Sequence, residues 1–307
     1  MKRDFPALQA LRRDLKRDWQ MYLFLILPVI YIIIFAYVPM AGLQIAFRKY
    51  SARLGIWGSK WVGMANFEKF VRSYYFGTTL KNTLRLSVYS IVFGFPLPIL
   101  MALLLNCIKS ERYRGVAQTI TTLPHFISVV VLVGMIKMLF ASNGIVNDVI
   151  QWMGGEPIYF LISPRWYRTL FIGSGIWQGL GWSSIIYLAA LTNVDPQLME
   201  AAVVDGANRF QRVWNVSLPA LMPTISIQLI FSISGIMSAS TEKTLLLYNE
   251  ATYEVGDVIG TYVYREGILG GAFEYTTAIG LLMSIVSLVL ITLANYGSRL
   301  FSENSLW

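Results

Sequence analysis

The sequence holds one cysteine and one histidine among 307 residues, and it is poor in charge. Because a disulfide needs two cysteines, Cys107 forms none within this chain. The single histidine, His125, argues against His-rich metal or proton-relay chemistry. The sequence has no G-x-x-x-x-G-K-[ST] loop, no HExxH motif and no base-and-nucleophile pair. We therefore expect no catalytic residue, no metal and no cofactor here.

Charged residues make up only 14% of the chain, whereas soluble domains carry about a quarter. Hydrophobic residues make up 55%, so much of the surface is expected to face lipid. The 25 Lys and Arg residues exceed the 17 Asp and Glu residues, giving a net charge of +8. In a soluble protein this excess suggests nucleic acid, but in a membrane protein it indicates cytoplasmic loops and tails.

Apolar runs of roughly 20 residues can cross the bilayer as helices. The sequence predicts an all-α, polytopic membrane protein with six transmembrane helices, at about 21–47, 84–107, 117–140, 169–193, 219–239 and 275–297. A basic tail (1–20) precedes the membrane domain (21–300), and a short tail (301–307) follows it. The first run is longer than the apolar region of a signal peptide, which is about 7–15 residues, so we interpret it as an uncleaved span.

Basic residues set the predicted orientation, since they favour the cytoplasm. They occupy the N-terminal tail and the short second connection, as Lys2, Arg3, Arg12, Arg13, Lys16, Arg17, Lys109, Arg112 and Arg114. With six spans, both termini and the connection at 194–218 then face the cytoplasm of a bacterial cell membrane. The first external connection, 48–83, is also basic and departs from the rule.

The connection at 194–218 is a polar, charge-bearing segment between two apolar runs. Asp195 and Pro196 favour a helix start. Small residues at helical spacing would let another backbone approach, and Gly206 would allow a sharp turn. An amphipathic helix lying along the membrane is predicted beyond Gly206, and Leu218-Pro219 would lead into the next span. The alternative is an interfacial helix pair with no partner.

The order of residues in this loop, EAA, then Asp-Gly-Ala, then Leu-Pro, resembles the signature of ABC importer permeases. In that family, a short cytoplasmic helix docks on an ATPase subunit and its glutamate pairs with a basic residue there. The resemblance assigns this coupling role to Glu200, Ala201, Ala202, Asp205, Gly206, Ala207, Leu218 and Pro219.

Three further stretches, KWVGMANFEKF, TLPHFISVVV and LLLYNEATYEVGDVIGTYVYREGI, resemble carbohydrate permeases that import oligosaccharides, including plant-polysaccharide fragments and alginate. The segment SASTEKT, Ser238 to Thr244, departs from that pattern. The resemblance implies a type I importer permease fold. It also implies a second, different permease chain, two ATPase subunits that hold ATP and Mg, and an extracellular solute-binding protein. No nucleic-acid partner is expected.

Polar groups within spans are costly and often functional. The substrate-pathway candidates are His125, Lys137, Trp177, Gln178, Trp182 and Ser183. Each has an alternative: His125 could satisfy a helix break after Pro124, and Lys137 could snorkel to the interface or meet a carboxylate. The fourth-span group could serve a sugar or helix packing, and packing is favoured.

A stand-alone secondary carrier or channel for a small polar solute is the rival function. It predicts inverted repeats and broken helices around an ion site in mid-membrane. The sequence shows no convincing repeat and few carboxylates within spans, which favours the importer permease.

Overall fold

The computed structural model describes residues 17–238 and 240–301, and most of these residues are helical. The predicted terminal tails lie largely outside the described residues. In the first part of the chain the elements are α1 (Trp19–Ile32), α2 (Val38–Met40), β1 (Arg48–Lys49), α3 (Gly55–Gly58), β2 (Lys60–Trp61), α4 (Ala65–Val71), α5 (Tyr74–Gly94), α6 (Pro96–Asn106), α7 (Glu111–Thr122), α8 (Val129–Leu139) and α9 (Ile145–Trp152).

The second part contains α10 (Pro164–Thr192), α11 (Pro196–Val204), α12 (Arg209–Arg212), α13 (Leu218–Ser234), α14 (Thr241–Leu247), α15 (Tyr253–Gly256), α16 (Ile259–Val263) and α17 (Phe273–Phe301). Short 3-10 or π turns join several of these helices end to end. The described part of the chain falls into two compact units, residues 17–69 with 272–281 and residues 70–238 and 240–271 with 282–301.

In the smaller unit, β1 and β2 form an antiparallel pair in which Arg48 faces Trp61 and Lys49 faces Lys60. The side-chain amide of Asn66 donates to the carbonyl oxygens of Ala46 (2.9 Å) and Arg48 (3.1 Å). These two bonds fix α4 against the strand because they satisfy backbone acceptors that the two-stranded ladder leaves free. The KWVGMANFEKF stretch therefore has a structural role here.

Four stretches are both long and apolar enough to cross a bilayer: Trp19–Phe47, Tyr74–Asn106, Arg209–Met237 and Phe273–Ser298. They contain the predicted first and sixth spans and all but the last one or two residues of the second and fifth. The predicted fourth span, except its last residue, lies within α10, whose 29 residues would measure about 43 Å. The mean hydropathy of this helix is lower than that of the other four, because serines, glycines and Gln178 interrupt its apolar sequence.

The predicted third span, 117–140, is not one straight helix. The helical stretch Glu111–Phe126 ends in a 3-10 turn, and α8 starts again at Val129 with a bend of 95°. Pro124 cannot donate a backbone hydrogen bond, and Ser128 accepts one from Val131 N (3.3 Å) as the new N-cap. The structure thus contains the helix break considered for His125 after Pro124, and the predicted third span consists of two helices joined at a bend.

In the larger unit, α10 packs against α5, α6, α7 and α13. Its first half contributes Tyr167, Leu170 and Phe171 to one buried apolar cluster. Its last turns contribute Tyr187, Leu188 and Leu191 to a second cluster, with Leu221 of α13. The middle of α10 belongs to neither cluster, so apolar packing holds the helix at both ends and leaves its centre for other uses.

The segment from α14 to α16 is held by buried polar contacts. Asp257 receives two bonds from the Arg265 guanidinium (2.8 and 3.2 Å), and Asn82 of α5 donates to the Asp257 carbonyl oxygen (3.1 Å). Asn249 donates to the Leu161 carbonyl oxygen (2.8 Å). Paired guanidinium–carboxylate bonds are geometrically specific, so these contacts hold the stretch from Asn249 to Arg265 in place.

Candidate functional site

The loop between α10 and α13 starts as the sequence predicts. The Asp195 carboxylate accepts a hydrogen bond from Gln197 N (2.9 Å), and Pro196 occupies the first turn of α11. Proline suits this position because its missing N–H would have no partner in a helix anyway. The predicted start of α11 is therefore confirmed.

Helix α11 ends in a left-handed turn at Gly206, whose φ is +77°. Ala207 N donates to the Ala202 carbonyl oxygen (2.9 Å) and Gly206 N to that of Val203 (3.0 Å). This is the Schellman pattern of a helix C-terminus, in which glycine avoids the steric cost of positive φ. Asn208 then caps α12 in a reciprocal pair with Gln211. The turn thus confirms the prediction for Gly206.

No residue of α11 is buried. Its apolar side chains Leu198 and Val204 are 58% and 87% exposed. The Glu200 carboxylate is exposed and has no ion-pair partner among the described residues. A short helix capped at both ends, with apolar groups and an unpaired carboxylate in solvent, offers a preformed docking surface.

The helix beyond Gly206 differs from the prediction. Arg209 to Met237 forms one continuous helical stretch, so α12 runs directly into α13 instead of lying separately along the membrane. Leu218-Pro219 lies inside this stretch. Because Pro219 lacks an N–H, the preceding turn widens into a π-turn, in which Leu218 N donates to the Val213 carbonyl oxygen five residues earlier.

Two adjoining cavities of about 420 and 430 Å³ lie beside the middle of α10. Residues of α5, α6, α10 and α13 line both of them: Ser90, Ile91, Gly94, Pro98, Ser183 and Ser232 are shared. Ser87 and Gln178 line the first cavity only. Serine hydroxyls and a side-chain amide among apolar groups can hydrogen-bond a polar, uncharged ligand such as a sugar ring.

The structure brings three of the six predicted pathway residues to these cavities. Gln178 and Ser183 line the first, while Trp182 and Ser183 line the second. The Gln178 amide also donates to the carbonyl oxygen of Ile127 (2.7 Å), which the break between α7 and α8 leaves free. A single side chain thus both stabilises the bend and faces the cavity.

The other three candidates lie elsewhere in the described chain. The His125 ring stacks on Trp182 with centroids 4.5 Å apart and planes 5° apart. Trp177 lines a separate apolar recess with α8, because consecutive helical residues point about 100° apart. Lys137 is exposed on α8 and lines none of these cavities. Their roles in substrate contact stay predictions.

Sequence reasoning missed Lys243, which is only 5% exposed and lines the first cavity. Its ammonium donates to the Phe171 carbonyl oxygen (2.6 Å) and lies 4.7 Å from the centre of the Phe171 ring. The signal was in the sequence: a single lysine among small polar residues in SASTEKT, directly after the fifth span.

A third cavity of about 400 Å³ is lined by three cationic side chains, Lys81 and Arg85 of α5 and Arg168 of α10, together with Glu254. No group of three or more His, Cys, Asp or Glu side chains in the described residues is arranged to hold a metal ion. The polar chemistry near α10 is therefore that of hydroxyls, amides and cations.

Known proteins share both the sequence and this architecture. Residues 94–303 match the family described as binding-protein-dependent transport system inner membrane component. Protein LplB of Bacillus subtilis (strain 168) is 40% identical over 100% of this chain and 98% of its own length. The polygalacturonan/rhamnogalacturonan transport system permease protein YteP of the same organism is 43% identical over 99% of this chain and 95% of its own.

Solved structures agree with these relatives. One chain of a bacterial ABC transporter involved in the import of the acidic polysaccharide alginate superposes with a TM-score of 0.87 at 42% identity, covering 94% of this chain and 98% of that one. In a bacterial alginate ABC transporter in complex with alginate pentasaccharide-bound periplasmic protein, the score is 0.88 at 41% identity, covering 96% and 99%.

The chain belongs to the family of binding-protein-dependent transport system inner membrane components. It is therefore a membrane permease of an ABC importer with the type I fold, and a transport subunit instead of an enzyme. Family membership favours the importer over the stand-alone carrier, although the chain does contain a broken helix.

Proposed function

We propose that this chain passes oligosaccharides, including acidic fragments of plant or alginate-type polysaccharides, through the bacterial cell membrane. The family, the names of YteP and of the alginate importers, and the hydroxyl-lined cavities beside α10 support this substrate class. The observation that carries the coupling of this passage to an ATPase is α11, a capped helix whose apolar side chains are exposed.

In the proposed assembly, α11 and the turn at Gly206 dock on an ATPase subunit in the cytoplasm, so both termini are cytoplasmic. Glu200 pairs with a basic residue of the ATPase, and the small side chains Ala201 and Ala202 let the two backbones approach. Asp205, Gly206 and Ala207 form the turn, while Leu218 and Pro219 link α12 to the span. ATP and Mg bind the ATPases, which are two in number.

The rest of the assembly is a second, different permease chain and a solute-binding protein on the outer face. ATP-driven closure of the ATPases moves the docked helices as rigid levers because both ends of α11 are capped. Such a change requires ligands that bind the two states with different affinity, here ATP and the loaded binding protein.

The test is a double substitution in the loop, Glu200→Lys with Gly206→Pro, in the full complex. Proline holds φ near −65°, which is incompatible with the +77° of Gly206, and lysine repels a basic partner. We expect loss of ATP-dependent oligosaccharide uptake and of ATPase co-purification, with the chain still in the membrane.

The matched control is Glu111→Lys with Gly115→Ala in the neighbouring basic connection. Glu111 is exposed, and a methyl group at Gly115 would meet no atom within 4 Å. Uptake should survive this control. ATPase co-purification that survives the Glu200 and Gly206 changes would contradict the coupling role of α11.

A further inference from the structure

The surroundings of Lys243 are unusual for a lysine. The residue is only 5% exposed. Among the described residues, however, no carboxylate lies within ion-pair distance of its ammonium. The Phe171 carbonyl oxygen is the one hydrogen-bond acceptor recorded for it in that part of the chain. An ammonium has three N–H donors, so most of its capacity is unused by these residues.

A buried ammonium is normally paired with a carboxylate, since removing it from water is otherwise costly. One carbonyl oxygen and one aromatic face compensate only part of that cost. A lysine with a purely structural role would gain more from a nearby Asp or Glu. The charge of Lys243 is therefore available to an anion that enters the cavity.

We propose that the Lys243 ammonium binds a carboxylate of a sugar acid as it passes through the cavity beside α10. The inference rests on the proposed oligosaccharide import and adds a charge preference to it. A uronate residue would place its carboxylate at Lys243 and its hydroxyls near Gln178 and Ser183.

Helix α10 is shaped to admit this ammonium. A methyl group at Gly175 would lie 3.2 Å from the Lys243 nitrogen, so glycine leaves the space in which the charge lies. Phe171, Gly175 and Gln178 follow one another along one face of α10, since they recur at three or four residues, and Ser183 lines the same cavity one turn further on. The ammonium and the polar groups therefore line one continuous wall.

The charges elsewhere in this unit agree with an acidic ligand. Lys81, Arg85 and Arg168 line the third cavity with a single carboxylate, that of Glu254. Arg85 directly precedes Leu86 and Ser87, which line the first cavity. An anionic chain would meet positive charge along α5 as well as at Lys243.

The experiment uses the complete importer in proteoliposomes with a galacturonate oligomer and its methyl ester, which has the same length but no charge. We expect Lys243→Met to lower uptake of the acid relative to the ester by about tenfold, because a hydrogen bond to a charged group is lost. Lys243→Arg should restore most of the preference. Gly175→Ala, which crowds the ammonium, should weaken it by a smaller factor.

The comparison residue is Lys137, the exposed lysine of α8. A change in the acid-to-ester ratio with Lys137→Met but not with Lys243→Met would overturn the proposal. Equal loss of both substrates in Lys243→Met, Lys243→Arg and Gly175→Ala would show a structural lysine and would also overturn it. If wild type transports neither sugar with its binding protein, the proposed function fails first, and this inference falls with it.

Discussion

The loop between α10 and α12 and the cavity beside α10 differ in which contacts determine them. Residues adjacent in sequence cap helix α11 at both ends: Asp195 caps its N-terminus, and Gly206 forms the turn at its C-terminus. None of the residues of α11 is buried. The cavity wall combines residues far apart in the chain, such as Gln178 with Ile127 and Lys243 with Phe171. Contacts between near neighbours in sequence thus determine the loop, whereas long-range contacts determine the cavity wall.

The largest expected effect is on the loop. Val204→Asp places a charge on an apolar side chain that is 87% exposed, so we expect ATPase association to weaken about tenfold to a hundredfold. Thermal stability should stay unchanged because no buried contact is lost. Association is measured by titrating purified ATPase against the permease complex in detergent.

Trp152→Asp is the matched control for Val204→Asp, since Trp152 is also 87% exposed and lies on α9, outside the loop. Equal weakening of ATPase binding in both variants would mean that general surface polarity, and not the docking of α11, determines association.

A medium effect is expected on the cavity wall. Gln178→Leu leaves the Ile127 carbonyl oxygen without its 2.7 Å donor, at a cost of about 1–3 kcal/mol. We expect the Tm of the complex in detergent to fall by a few degrees while ATPase association is retained, the reverse of the loop variant. Gln151→Leu, an exposed amide on α9, should leave the Tm unchanged. If the Gln178 variant has the wild-type Tm, Gln178 does not stabilise the bend between α7 and α8.

The smallest effect is a pH dependence. Burial lowers the pKa of Lys243 to about 8, because the charged form is removed from water. Below that pH the ammonium attracts a carboxylate, and above it the charge is lost, so the acid-to-ester uptake ratio should fall several-fold between pH 7 and 9. The ratio cancels the pH dependence of ATP hydrolysis.

Other titratable groups stand on α14 itself and on the helices packed against it: Glu242, Lys137, Arg165, Tyr167, Arg168, Tyr187 and Tyr262. None of them forms a recorded ion pair with Lys243. In Lys243→Arg the ratio should be flat over this pH range, since a guanidinium stays charged. A fall of the same size in that variant would assign the pH dependence to another group.

The loop could be predicted because helix caps depend on a few adjacent residues. Asp195, Pro196 and Gly206 specify their own dihedral angles and hydrogen bonds, and the structure agrees at each position. The bend at Pro124 was expected for the same local reason. The sequence did not predict that Arg209 to Met237 form one continuous helical stretch, since a proline such as Pro219 usually indicates a helix start. Here a π-turn before Leu218 accommodates the proline within the helix.

The two lysines mark the limit of sequence reasoning. Lys137 was predicted to line the substrate pathway because it lies in the predicted third span, but its side chain is exposed on α8. Lys243 lies outside every predicted span. The bonds of Asn249 to Leu161 and of Asn82 to Asp257 hold the segment from α14 to α16, in which this lysine is buried against Phe171. Those contacts join residues up to 175 positions apart, which no local pattern reveals.

The sequence by itself determined that this chain is a helical membrane protein with a capped loop, because hydrophobic length and helix capping are local properties of the chain. The residue order of that loop added the resemblance to importer permeases. The tertiary structure alone decided which polar side chains share a cavity and which lysine is buried there. The physical reason is that burial and proximity are set by long-range packing between helices, and the free energy of a charge depends on the groups that surround it.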